Sequence, residues 1–131
     1  VITVDLEQGL EAELSSLTGL GGKVFPVMAP QGTKAPYLAY SLGSNNRTKT
    51  LAGHDGLVQS QYQLDLYHTA YAGLKALKKL VIANLKTYDL RNIGGSGPLI
   101  QQVEIINDFE IYEDAVKLYK GIIEFNAYYT E

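Results

Sequence analysis

A chain of 131 residues with 46% apolar and 19% charged residues has the size of one domain and the ordinary proportions of a chain that folds around a core. Its formal net charge of −3 supplies no general attraction to nucleic acid, and the absence of cysteine excludes disulfides and thiolate metal sites. No apolar run approaches the ~18 residues that span a membrane, and the first residues, Val1 to Glu7, lack the basic region of a secretory signal.

Taken in chain order, Asp5–Leu20 reads as a helix. Leu6, Leu10, Leu14 and Leu17 recur at helical spacing while Glu7, Glu11 and Glu13 fall elsewhere on the wheel. Thr3 or Asp5 can cap its start, and Gly19-Leu-Gly-Gly22 closes it. Val24–Met28 is a short strand interrupted by Pro26, which argues against a central, fully paired position. Tyr37–Leu42 is a second strand, entered through Pro36. The next stretch, Gly43–Gly56, offers almost nothing to bury and reads as a long polar loop. Loops of that length in small domains are usually functional or disordered.

Leu57–His68 alternates, with Val58, Tyr62, Leu64 and Leu66 on one face and Gln59, Gln61, Gln63 and Asp65 on the other. That is a half-buried strand with a wet side. Thr69–Tyr88 is the second helix, with Thr69 as N-cap. Its core stripe is Leu74, Leu77, Val81 and Leu85, and Lys75, Lys78, Lys79 and Lys86 are assigned to an exposed basic side. Gly94–Pro98 is a turn. Leu99–Asn107 and Lys117–Tyr129 are strands joined by Asp108–Ala115, and in the last of them Tyr119, Ile123, Phe125, Ala127 and Tyr129 share a face. Helix, strands, helix, strands predicts an α+β fold: a mainly antiparallel or mixed sheet with two helices on one face, an α/β sandwich.

Catalytic signatures are missing from this sequence. His54 and His68 have no partner at a metal-ligand spacing. The glycine clusters at 19–22 and 94–97 end a helix and precede a strand, so neither presents helix N-terminal amides to a phosphate. The acids Glu104, Asp108, Glu110, Glu113 and Asp114 lack the EF-hand spacing and its central glycine. The expectation is therefore a non-enzymatic protein with no catalytic residues, no cofactor and no metal. An acidic hairpin (Glu110, Glu113, Asp114) apart from a basic helix (Lys75, Lys79) would let identical subunits dock head to tail. Ten tyrosines, several in the C-terminal hairpin, suit either an antiparallel sheet or a surface covered on assembly.

The order of these elements and their local sequence resemble a family of tail-completion, tail terminator and head–tail joining proteins of long non-contractile-tailed bacteriophages. The resemblance is carried by the leucine-spaced helix, Val24-Phe-Pro26, the turn Ala29-Pro-Gln-Gly-Thr33, Pro36-Tyr-Leu-Ala-Tyr40 and the strand Tyr62-Gln-Leu-Asp-Leu-Tyr67. It covers residues 6–88 well and the C-terminal hairpin loosely. It implies a fold similar to the phage lambda tail terminator, assembled as a homo-oligomeric ring, typically a hexamer, on the head-proximal end of the tail tube. The implied partners are copies of itself, the major tail tube protein and a head-completion or connector protein, with no membrane and no sequence-specific nucleic acid. The implied location is the virion, after synthesis in the bacterial cytoplasm. Asn45, Asn46, Arg47, Thr48 and Lys49 in the polar loop are the candidate contacts to the tube or a neighbouring subunit. Another neck or minor tail role, a host-encoded binding module and a small-molecule enzyme are the alternatives.

Overall fold

Apolar spacing and chain punctuation build eight elements. The computed structural model describes residues 6–17, 19, 20, 23–51, 53–93 and 99–130, and at 48–50, 53–56 and 130 the description extends to the backbone only. The elements are α1 (Leu6–Ser15), β1 (Val24–Pro26), β2 (Tyr37–Thr50), β3 (Gly53–His68), α2 (Tyr71–Leu85), β4 (Arg91–Asn92), β5 (Leu99–Glu113) and β6 (Leu118–Thr130). The strands form one mixed sheet in the order β1-β2-β3-β6-β5-β4, curled into a half-barrel. β1 runs parallel to β2, and every other pair is antiparallel. The α+β expectation holds, and the single parallel pair sits at the sheet edge rather than across α2.

Pro26 explains that edge position. Proline has no N–H to donate, so a strand that contains it is tolerated where one side is unpaired. Between β1 and β2, Thr33 N–H donates to the Pro30 carbonyl at 3.1 Å and Gly32 has φ +88°. This is a β-turn whose third residue needs the left-handed region, where glycine carries no steric penalty.

The core lies between the concave face of the sheet and the two helices. Leu6, Leu10 and Leu14 of α1, and Leu74, Leu77, Val81 and Leu85 of α2, meet Leu38, Tyr40, Val58, Tyr62, Leu64, Leu66, Ile123, Phe125, Ala127 and Tyr129 from the strands. Both helical stripes and both strand faces read from the sequence are thus the core faces. Gly9 lets α1 approach the chain beyond α2: a Cβ there would stand 2.8 Å from Ile93 Cγ1, closer than carbon atoms tolerate.

Four sequence expectations are corrected. The first helix ends at Ser15 rather than Leu20; Leu20 is fully buried from the turn beyond it, so its apolar signal came from the core and not from helical periodicity. The second helix begins at Tyr71 with Ala70 as its N-cap, which has no side-chain capping bond. Thr69 is not the cap; instead Ala70 N–H donates to His68 Nδ1 at 3.0 Å. The proposed loop 43–56 is strand for nearly its whole length, the outer part of the β2–β3 hairpin. The proposed joining segment 108–115 is strand as far as Glu113. Polar residues remain in a ladder when backbone pairing is satisfied and their side chains reach solvent or a partner, so low hydrophobicity alone does not end a strand. The proposed caps Thr3 and Asp5, Gly21 and Gly22, and the turn 94–98 lie outside the described residues.

Candidate assembly surfaces

The first surface is the β2–β3 hairpin. Asn45 pairs with Ser60, Asn46 with Gln59, Arg47 with Val58 and Lys49 with His54. Pairing of β3 with β6 begins only at Leu57, opposite Thr130. Beyond that point only β2 pairs with β3, through Lys49–His54 and Thr50–Gly53, and the hairpin runs on as a two-stranded arm for about 10 Å at the usual strand rise. Asn45, Asn46 and Arg47 are exposed; the side chains of Thr48, Lys49 and His54 lie outside the described part. The base of the arm is anchored. Ser60, fully buried, is hydrogen-bonded to the Asn45 side-chain carbonyl and lies 3.1 Å from the Tyr129 hydroxyl. A buried hydroxyl with two partners fixes its neighbours at low cost, so the arm leaves the sheet in a defined direction.

The second surface is the meeting of α2 with the end of β5. The helix and the acidic end of β5 meet within the chain. Lys75 Nζ lies 2.8 Å from Glu110 Oε1. Lys78 Nζ lies 2.6 Å from the same oxygen and 2.7 Å from Asp108 Oδ2. Lys78 is buried, which corrects its assignment to the exposed basic side: it occupies the core stripe beside Leu74, Leu77 and Val81. Two bulges in the β5–β6 register keep Ile100, Val103, Ile105, Asp108 and Glu110 over the same helix-covered face. The inner surface changes from apolar to acidic at Asp108, and the lysines of α2 meet it there. Glu113 pairs with Lys120 at 3.4 Å, while Lys79 and Asp114 are exposed and form no ion pair among the described residues. Of the five charges assigned to subunit docking, Lys75, Glu110 and Glu113 thus have partners within the chain.

Electrostatics follow from that geometry. Hydrogen bonds from Lys75 and Lys78 hold the Glu110 carboxyl below its ordinary value. For Lys78, burial opposes the charge, but the bonds to Asp108 and Glu110 more than offset it and raise its pKa. A lowered carboxyl pKa stabilises the fold fully above the unfolded value and loses that contribution as pH falls through the folded one. Acid titration from pH ~5 downward should therefore weaken the fold, and Glu110→Gln should flatten that slope in urea unfolding measured across the pH range. Lys78→Ala should cost about 2 kcal/mol, less than for a fully buried pair because the Asp108 side chain is 42% exposed and water can solvate it once its partner is gone.

Among the described residues the remaining surface brings no metal-binding cluster together, and no helix is long and apolar enough to cross a membrane. A shallow, open depression on α1 is lined by Gln8, Glu11, Ala12 and Ser15, and no nucleophile–base pair meets there. The convex face of the sheet carries the glutamines of β3, a Tyr37–Tyr67 stack at 4.8 Å and Lys120 over the Tyr67 ring.

No protein-family description matches the chain, and no curated protein is similar to it in sequence. Among solved structures, a chain of the virion of native gene transfer agent (GTA) particle superposes with a TM-score of 0.71 at 15% identity, covering 96% of this chain and 95% of that one. The likeness is one of fold. It extends over nearly the whole of both chains.

Proposed function

We propose that this chain is a non-enzymatic structural protein of a tailed, phage-like particle. In this reading it forms a ring on the head-proximal end of the tail tube, ends tube growth and presents the surface to which the head connector binds. The observation that carries the reading is the end-to-end fold likeness to a chain of a gene transfer agent virion. It is supported by the resemblance of residues 6–88 to tail-completion proteins and by the two-stranded end of the β2–β3 hairpin that extends beyond β6. The partners are further copies of the chain, the tube protein that the ring covers and a connector protein above it. The β2–β3 arm, with Asn45, Asn46 and Arg47 exposed at its base, is the element that reaches a neighbour or the tube.

Electron microscopy of particles made without this protein tests the role. Overlong tubes are expected if it terminates growth, and tubes of normal length without heads if it only joins. Complete particles of normal length and yield would overturn the proposal. A neck or minor tail protein would instead leave tube length and head attachment intact while removing density elsewhere.

A further inference from the structure

Among the described residues two long stretches of strand have an open side, and they lie towards opposite ends of the sheet. β1 pairs with β2 only at Leu38, Ala39 and Tyr40, and the Val27 N–H adds one bond to the Tyr40 carbonyl at 2.7 Å. From Ser41 to Thr50 no described strand lies on that side of β2. At the other end β4 pairs with β5 only at Leu99 and Ile100, and the Asp89 carboxylate accepts the Val103 N–H at 2.9 Å. From Glu104 to Glu113 no described strand covers β5. Natural edges are commonly blunted with proline or lysine, and β5 has neither. Its register with β6 is unbroken from Asn107 to Glu113, and Ile106, Phe109, Ile111 and Tyr112 along it are 38–49% exposed.

We infer that the open side of β5 in one copy pairs with the open side of the β2 arm in the next, so that the subunits of the ring are joined by continuation of the sheet. The inference rests on the ring reading and specifies its joint. Strand direction favours a second copy as the occupant. β2, β3, β6 and β5 alternate, each antiparallel to the next. A neighbour related by rotation about an axis to which the strands are inclined presents β2 antiparallel to β5, continuing that alternation. The positions of the open stretches agree. That of β2 lies towards the hairpin end, where Arg47 is level with Val58 and Tyr129, and that of β5 runs the other way to Glu113, level with Leu118. Joining them staggers every copy in the same sense, and closing a sheet on itself requires such a stagger.

Charge selects the same pairing. Residues 41–50 include Arg47 and Lys49 and no acid, while residues 101–113 include Glu104, Asp108, Glu110 and Glu113 and no base. Edge pairing brings a stretch that carries only basic charges beside one that carries only acidic charges. The two edges differ from each other, so the contact is heterologous, the type that generates rings.

A chain without cysteine allows a direct test. Asn46→Cys is combined in turn with Asn107→Cys, Phe109→Cys or Ile111→Cys, all on the convex face by register. Within one copy these strands are separated by β3 and β6, about 14 Å at the usual strand spacing and beyond disulfide reach. Any bond therefore joins two copies. Double variants are assembled into particles, oxidised and run on non-reducing gels, with each single variant as control for folding and incorporation. At least one pair should convert most of the chain into a ladder of covalent multimers, while the single variants form no ladder. Particles that show a ring of this chain but leave all three pairs monomeric would overturn the edge joint and spare the ring reading. Particles with a single copy of the chain would overturn the ring reading, and the joint with it.

Discussion

Phe125→Ala should lower the unfolding free energy by about 3–5 kcal/mol, the range for deleting a fully buried aromatic ring. Phe125 is 2% exposed and stacks on Tyr62 with ring centroids 5.9 Å apart. It belongs to β6, flanked by Tyr62 of β3 and Ile105 of β5 in the ladder. Strands held in register on both sides cannot move inward to fill the void, so most of the cavity persists and its cost is retained. With total stability for a domain of this size on the order of 5–15 kcal/mol, the variant should sit near its unfolding threshold. Urea unfolding checks this through a lowered midpoint at unchanged slope. Phe109→Ala is the comparison: that ring is 38% exposed on the convex face and its loss should cost under about 1 kcal/mol. Equal losses at the two positions would mean that the concave face is not the core.

Shortening the arm should have the opposite profile. Replacing residues 48–57 by Asn-Gly, a tight hairpin turn, leaves Arg47 opposite Val58 as the last pair of the hairpin. No described side chain beyond Val58 on the arm is buried, so the unfolding free energy should change by less than about 1 kcal/mol. Assembly should fail nonetheless. In the proposed ring the contact repeats at every subunit and acts through avidity, so losing it everywhere together should reduce the yield of complete particles by at least about 10-fold. Particle counts by electron microscopy, beside a melting curve of the purified variant, separate the two effects. Normal yield from a correctly folded variant would remove the arm from the assembly surfaces.

These predictions draw on parts of the molecule that were unequally legible. The apolar stripes were readable because burial on one face imposes a period: Leu6, Leu10 and Leu14, or Val58, Tyr62, Leu64 and Leu66, announce helix or strand and the side that faces inward. The arm was not readable as strand. Gly43–Gly56 carries no apolar–polar alternation, so nothing local marks it as strand. Asp108–Glu113 was taken for a connection because of its acids, whose partners Lys75 and Lys78 lie about 30 residues away on α2. Lys78 was misplaced for the same reason. A lysine at a core position has no local signature, since its charge is tolerated only through the carboxylates that a distant strand brings to it.

Composition and periodicity by themselves determined an α+β domain with two helices over one face of a sheet, an edge position for the proline-bearing β1, and no recognisable catalytic motif, because each of these depends on local chemistry: side-chain burial period, missing donors, missing residue types. Tertiary structure alone decided which acids meet which lysines, how far the β2–β3 arm stands clear of β6, and that among the described residues two strand edges with opposite charge remain open towards opposite ends of the sheet. Those are properties of pairing between residues remote in sequence. Backbone hydrogen bonds are the same for every residue type, so an open edge leaves no mark on the chain until the sheet has formed.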